Sequence, residues 1–261
     1  MKAALIIIGN EILSGRTQDK NLSYLANWLN EIGIQLSEVR VIRDEEEVII
    51  ETVNYLRKTY SYVFTTGGIG PTHDDITSLS IAKAFNVDLA INDKALSILK
   101  EYYKDSELTD ARMKMTMIPK GAELVDNPIS KAPGFKMENV FVMAGIPSIM
   151  QGMLEGARKH LKGGNIVKST SVDIFTAESN VADELTQKIA TIGENMSLRS
   201  SIYVAPSTGR GSAIPPIWPK SIKMWQDWRA TLELFYKIIE RLRMLRPPAN
   251  PIRLSGPKHL K

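Results

Sequence analysis

The chain of 261 residues contains no cysteine. Disulfides and thiolate metal sites are excluded, and a reducing compartment, by default the cytoplasm, is the expectation. No stretch approaches the roughly 18 consecutive apolar residues that a membrane span requires. The opening MKAALIIIGNEIL has an apolar run too short for a secretory signal, and it reads as a first strand. The length suits one large or two small domains with a real hydrophobic core.

The net charge of +4 is unevenly distributed. Residues 1–198 carry 21 Lys+Arg against 26 Asp+Glu, a net of −5, whereas residues 199–261 carry 12 against 3, a net of +9. Eight of the thirteen prolines and three of the four tryptophans also follow residue 198. The basic excess belongs to the tail, so it is no argument for nucleic-acid binding by the main body.

Residues 62–77, YVFTTGGIGPTHDDIT, organise the rest. The apolar run Tyr62–Phe64 followed by Thr65, Thr66, Gly67, Gly68 and Gly70 predicts a buried strand ending in a glycine turn. Ile76, Leu79, Ala82 and Phe85 then recur at helical spacing. Glycines let backbone N–H groups approach a ligand, and a helix start adds unpaired donors and partial positive charge, so this order suits a phosphate. Asp74 and Asp75 would repel a bare phosphate. A divalent cation between them, Mg²⁺ or a similar ion such as Co²⁺, resolves that conflict. The same residues also suit a plain turn in which Asp75 or its neighbour caps the helix. His73 reads as a loop residue, since one imidazole alone makes no metal site.

Ala3–Ile8 reads as a strand buried on both faces, and Asn10, Glu11 and Ser14 follow its carboxyl end, where open α/β sheets place ligands. A helix from Asp19 or Asn21 turns Leu22, Leu25, Ala26 and Leu29 inward and stops at Gly33. A second strand covers 34–42. Asp44 and Glu47 form a capping box for a helix carrying Val48, Ile49, Val53 and Leu56. Helices follow over 93–104 and 109–117, the latter with methionines that read as core filler. Lys131 supplies a cation in the loop Ser130–Phe135. Val140–Ala144 is another buried strand, and Gly145, Pro147 and Ser148 lead onto a helix that Ser148 is placed to cap, giving a second phosphate site. Alternating strands and helices predict a three-layer αβα domain with a mostly parallel sheet over residues 1–162. A partial α+β unit over 165–198 has a strand at 166–175 and a helix at 177–192. The tail, 199–261, contains what reads as one long amphipathic helix from Ile222 through Trp225 to Leu245 with Lys and Arg on its other side, a stripe that suits docking onto its own protein more often than binding to a membrane surface.

Thr65-Thr66-Gly67-Gly68-Ile69-Gly70-Pro71-Thr72, followed by Asp74-Asp75-Ile76-Thr77, resembles the signature of the molybdopterin-binding fold. That fold is shared by molybdenum-cofactor biosynthesis proteins and the amino-terminal domain of competence/damage-inducible protein A. The second is the closer resemblance, through Gly9–Gly15, Ala132–Phe135 and Gly145–Met150, and it extends to about residue 195. The resemblance implies a three-layer domain that forms homo-oligomers, trimers or dimers, and binds a phosphate-bearing small molecule. It also implies functional acids at Asp75 and Asp44. Two activities follow from it. One is metal-dependent hydrolysis of pyrophosphate bonds in substrates such as ADP-ribose or FAD, with Asp75, Asp74 and Asp44 catalytic and Asp75 and Asp74 on the metal. Thr66, Gly67, Gly68, Gly70, Asn10, Glu11, Ser14, Lys131, Gly145, Pro147 and Ser148 would then hold the ligand. The other is molybdopterin binding without hydrolysis; a non-catalytic regulatory module is the third reading. Many relatives have an acid where this chain has Asn10. The family's carboxyl-terminal nicotinamide-mononucleotide deamidase domain has no room in this length. From about Asn195 the tail departs from the family, as a change of reading frame near 196–200 would produce; comparing the coding DNA with a relative's tests this, and an uninterrupted family-like frame would refute it.

Overall fold

Lys2–Ile8 forms strand β1, and every residue from Ala3 to Ile8 is buried. Ala3, Leu5 and Ile7 enter one core while Ala4, Ile6 and Ile8 enter another. A strand whose alternate side chains all need apolar cover must lie between two helical layers. In this computed structural model the described residues are 1–164, 166, 169–175, 198–202 and 219–225. The chain divides into two units, Met1–Ile166 and Val167–Lys261.

In the first unit β1 is followed by α1 (Asn10–Leu13), α2 (Asn21–Glu31), β2 (Gln35–Ile42), α3 (Glu46–Thr59), β3 (Tyr62–Thr66) and α4 (Thr77–Ala84). Then come β4 (Leu89–Ile91), α5 (Asp93–Tyr102), α6 (Asp110–Lys114), β5 (Met117–Pro119), β6 (Glu123–Val125), β7 (Gly134–Met137), β8 (Val140–Met143) and α7 (Pro147–Arg158). The main sheet has the order β2-β1-β3-β8-β7-β6. β1 runs parallel to β2 and β3, and β3 parallel to β8, while β7 and β6 complete the sheet antiparallel. β4 and β5 form a separate antiparallel pair.

One core takes Leu25, Trp28 and Leu29 of α2 with Met150, Met153 and Leu154 of α7; the other takes Ile49, Val53 and Leu56 of α3 with Ile81 of α4. Phe64 stacks on Phe141 at 5.1 Å between ring centroids, both fully buried at the sheet centre. Burial of such a ring contributes about 1.5–3 kcal/mol.

Four local expectations are corrected. Leu22 is exposed, and Trp28 takes the inward place on α2, its Nε1 donating to Glu155 at 2.8 Å. On α4 the inward stripe is Thr77, Ser80, Ile81, Ala82 and Ala84, with Leu79 exposed, because the close neighbours α3 and β5 favour small side chains. The Asp44–Glu47 capping box does not form: the N-cap of α3 is Glu45, without a side-chain bond, since the Asp44 carboxylate bonds elsewhere. Ser148 does not cap α7 either. Ile146 is the N-cap, and Pro147 at the first helical position pre-sets φ for the helix.

In the second unit β9 (Ser169–Phe175), β10 (Leu198–Ile202) and β11 (Pro219–Trp225) form an antiparallel sheet in the order β10-β11-β9. Ile222 and Trp225, expected to begin a long helix, belong instead to its central strand. β-branched and aromatic residues suit a strand paired on both sides, and Pro219 at its first position removes little pairing. The helix expected over 177–192 and the rest of the long helix lie outside the described residues. Among the described residues no helix is long and apolar enough to cross a membrane.

His160, just beyond α7, gives a pH-dependent term. Its side chain is 14% exposed, Nε2 has no partner among the described residues, and Nδ1 lies 3.3 Å from Glu123. Burial pushes its pKa below the ordinary value, against the opposing pull of Glu123. The unfolded chain therefore takes up this proton at higher pH than the folded one. Stability is complete above the unfolded value, near 6.5, and is lost as pH falls through the lower folded value. His160→Met should gain in Tm relative to wild type between pH 7 and 5. A Tm difference that stays constant across that range would refute this.

Candidate functional site

Parallel strands present their carboxyl ends along one edge of a sheet. The register Ile8 to Ile42, Ile7 to Thr66 and Thr66 to Met143 aligns the ends of β1, β2, β3 and β8. The loops carrying Asn10–Ser14, Asp44, Gly67–Asp75 and Gly145–Pro147 follow those ends. β7 runs the other way, with Phe135 opposite Val142, so the loop containing Lys131 enters at the same edge.

Gly67 joins these loops. Its φ is 108°, outside the range open to other residues, and a Cβ there would run into the Ile8 carbonyl oxygen. Its N–H donates to the Met143 carbonyl at 3.1 Å, so Gly67 offers no amide to a ligand. A Cβ on Gly145 would lie 3.3 Å from the Gly67 Cα, so the two turns touch. Thr77 locks one of them: its hydroxyl donates to the Gly67 carbonyl at 3.0 Å and its N–H to Gly68 at 2.9 Å. Asn21 locks the other through Nδ2, which donates to the Gly145 carbonyl at 2.8 Å.

Asp75 does not cap α4, whose N-cap is Ile76. Its Oδ2 accepts the Thr72 N–H at 2.8 Å and the Thr72 hydroxyl at 2.5 Å, closing a tight loop. The same oxygen lies 2.7 Å from where a Cβ on Gly70 would stand, so only a glycine lets the carboxylate lie against the turn. Asp74 is exposed. The Thr72 hydroxyl has one proton, and its hydrogen bond goes to Asp75, alongside that of the Thr72 N–H; towards Asp74 the hydroxyl acts only as a nearby polar group. The hydroxyl first, and then Asp74's own N–H, hold the Asp74 carboxyl below the usual range, with smaller contributions from His73 and Lys114. His73 is fully solvent-facing, 4.0 Å from Asp74, in keeping with a loop residue.

Asp44 accepts the Asn10 N–H at 2.8 Å and ties the first loop to the end of β2. The Glu11 carboxylate lies against Gly9, and the Ser14 hydroxyl donates to the Glu11 carbonyl at 3.2 Å. Lys131 has φ 62° and donates its N–H to Asn127 at 3.2 Å. Gly68, Ile69, Gly70 and the first-turn residues Ser148 and Ile149 have N–H groups without partners among the described residues. Thr66 and Asn21 are buried, yet Thr66 Oγ1 and Asn21 Oδ1 also have none there. No three acids or imidazoles among the described residues gather into a ready-made metal cage.

The structure thus joins Asp75 to the glycine turn and Asp44 to Asn10. It adds Thr72, Thr77 and Asn21 as residues that hold the loops, and Lys114, whose Nζ donates to the Thr72 carbonyl. Thr72 and Thr77 lie inside the organising motif and were legible as neighbours of the acids. Nothing local in the sequence marks Asn21 or Lys114.

Glycine turns locked onto parallel strand ends, with unpaired amides beside a fixed carboxylate, characterise this α/β domain. Residues 4–162 match the family described as probable molybdopterin binding domain, and the chain belongs to that family. It is 34% identical over 189 residues to a protein of Archaeoglobus fulgidus, covering 72% of this chain and 81% of the relative. It is 35% identical over 198 residues to one of Sulfurisphaera tokodaii, covering 72% and 75%. Among solved structures it is similar to the protein CinA, of unknown function, from Thermoplasma acidophilum. The identity there is 33% and the TM-score 0.57, over 61% of this chain and 98% of that one.

Proposed function

We propose that the protein is a metal-dependent nucleotide pyrophosphatase acting on diphosphates of the ADP-ribose or FAD type at the Thr66–Asp75 loop. The observation that carries this reading is the carboxylate of Asp75 fixed against Gly70, in the same loop as the unpaired N–H groups of Gly68, Ile69 and Gly70. Donors and an acid that close together suit a phosphate that arrives with its counter-ion. Mg²⁺ commonly binds through one or two carboxylates plus substrate phosphates, so the lack of a preformed cage is compatible with the residues present. Asp75 with Asp74 or Asp44 would hold such an ion, Mg²⁺ or Co²⁺, and it would supply Lewis acidity when bound. The N–H groups of residues 68–70 and Ser148 would donate to the negative charge developing on the leaving phosphate, and Lys131 would neutralise part of it. In the reaction a water oxygen bonds to one phosphorus as that phosphorus releases the bridging oxygen, and the water proton leaves to solvent or product. The exposed apolar side chains of Leu13 and Ile146, on the same loops, offer cover to a ring system.

A second reading, molybdopterin binding without turnover, is favoured by the family match. Both are tested by incubating purified protein with ADP-ribose and with FAD, each with Mg²⁺, Co²⁺ or EDTA. The expected result is cleavage with metal and none with EDTA. A folded protein that cleaves neither but binds molybdopterin supports the second reading, and one that does neither overturns both and leaves the reading as a non-catalytic module.

A further inference from the structure

The acid loop has a cation that belongs to a distant part of the chain. α6 is capped by Thr109, whose side chain accepts the Arg112 N–H, and is followed by β5, which pairs with β4 and packs on α4. Thr116, fully buried, closes the connection: its hydroxyl donates to the Met113 carbonyl at 2.7 Å, and its own carbonyl accepts the Asn92 N–H at 2.9 Å. Lys114 therefore leaves a fixed support, 42 positions from Thr72 in sequence, and its ammonium donates to the Thr72 carbonyl.

Its partner is unusual among the described residues. Lys83, Lys120 and Lys136 each place the ammonium on a carboxylate, at 2.6 Å to Glu46, 2.8 Å to Asp88 and 2.6 Å to Glu123. Half-buried Lys114 makes no such ion pair among the described residues. It rests on a neutral carbonyl that already accepts the Asp75 N–H at 3.3 Å, and its charge reaches Asp74 only through space. An ammonium has three donors, so two remain beside the acids without any movement of the chain. A compact point charge with unpaired donors next to a glycine turn is suited to a phosphate oxygen.

We infer that Lys114 is a binding residue of this site, its ammonium taking an oxygen of the ligand's diphosphate while still held by the Thr72 carbonyl. This rests on the reading that a phosphate-bearing molecule occupies the Gly68–Gly70 turn. It adds to Lys131 a second charge-neutralising residue, beside the acids and outside every motif loop.

The test is calorimetric titration of wild type, Lys114→Met and Lys114→Arg with inorganic pyrophosphate in Mg²⁺ and with ADP-ribose, across a salt series, alongside the Tm of each unliganded protein. Lys114→Met should weaken binding roughly 10- to 100-fold and flatten its salt dependence, while Lys114→Arg retains most affinity and both variants keep the wild-type Tm. Wild type that binds neither probe overturns both this inference and the proposed function. Binding by wild type that Lys114→Met leaves unchanged overturns the role of Lys114 alone. Equal losses in both variants with a lowered Tm would show that Lys114 supports the loop rather than the ligand, and would overturn it as well.

Discussion

Gly67→Ala should destabilise the first unit by about 3 kcal/mol or more, the sum of a left-handed backbone penalty and overpacking. Two independent obstacles meet at this position. A φ of 108° is costly for any residue with a Cβ, and that Cβ would collide with the Ile8 carbonyl at the end of the central strand. The obstacle is backbone, so no side-chain rotation relieves it. Moving Gly67 away would break its bond to Met143 and the Thr77 bond onto its own carbonyl. For a unit of this size the expected fall in Tm is roughly 6–12 °C. Gly121→Ala is the control: Gly121 also has positive φ, at 86°, but nothing lies within 4 Å of an added Cβ. It should lose only the backbone part, about 1–2 kcal/mol. Thermal unfolding of both variants decides the matter, and equal losses would show that the contact with Ile8 is immaterial.

Asp75→Asn should abolish metal-dependent pyrophosphate cleavage, with kcat reduced about 100-fold or more, while the fold is retained. Asparagine keeps an oxygen of the same shape, so the Thr72 N–H and hydroxyl still find an acceptor and the loop stays closed. What disappears is the negative charge next to Gly70, which the proposed metal-dependent cleavage would require. Thr72→Val separates the two roles. It removes the hydroxyl bond but leaves the carboxylate and the backbone bond, and its effect on kcat should be much smaller, about 10-fold or less. Cleavage undiminished in Asp75→Asn would remove this loop from the chemistry.

Much of the first unit is legible in the sequence because its signals are local. Ala3–Ile8 and Val140–Met143 are continuous apolar runs, and only a strand covered on both faces accommodates them. The glycines after Thr66, Gly67, Gly68 and Gly70, end the strand in a turn, as their lack of side chains signals. Choices between competing partners are not local. Asp44 has the spacing of a helix cap, yet the Asn10 N–H, 34 positions away, takes its carboxylate. The stripe of α4 is rotated from the one Leu79 suggests because its packing partners lie far off in the sequence. Ile222 and Trp225 sit three apart, a spacing compatible with a helix, and pairing with β9 and β10 makes them part of a strand. Lys114 was invisible for the same reason: a lysine reaching a loop across the fold leaves no periodic trace.

The strand order also dictates when the site comes into existence. β3 lies between β1 and β8, and the Gly67 amide is held by Met143. During synthesis the glycine turn and both aspartates emerge long before the strand that anchors them, and pairings between distant segments are slow to form. The glycine loop therefore cannot be anchored until β8 has paired with β3. A ligand that binds only this assembled loop stabilises the pairing of β3 with β8 by mass action.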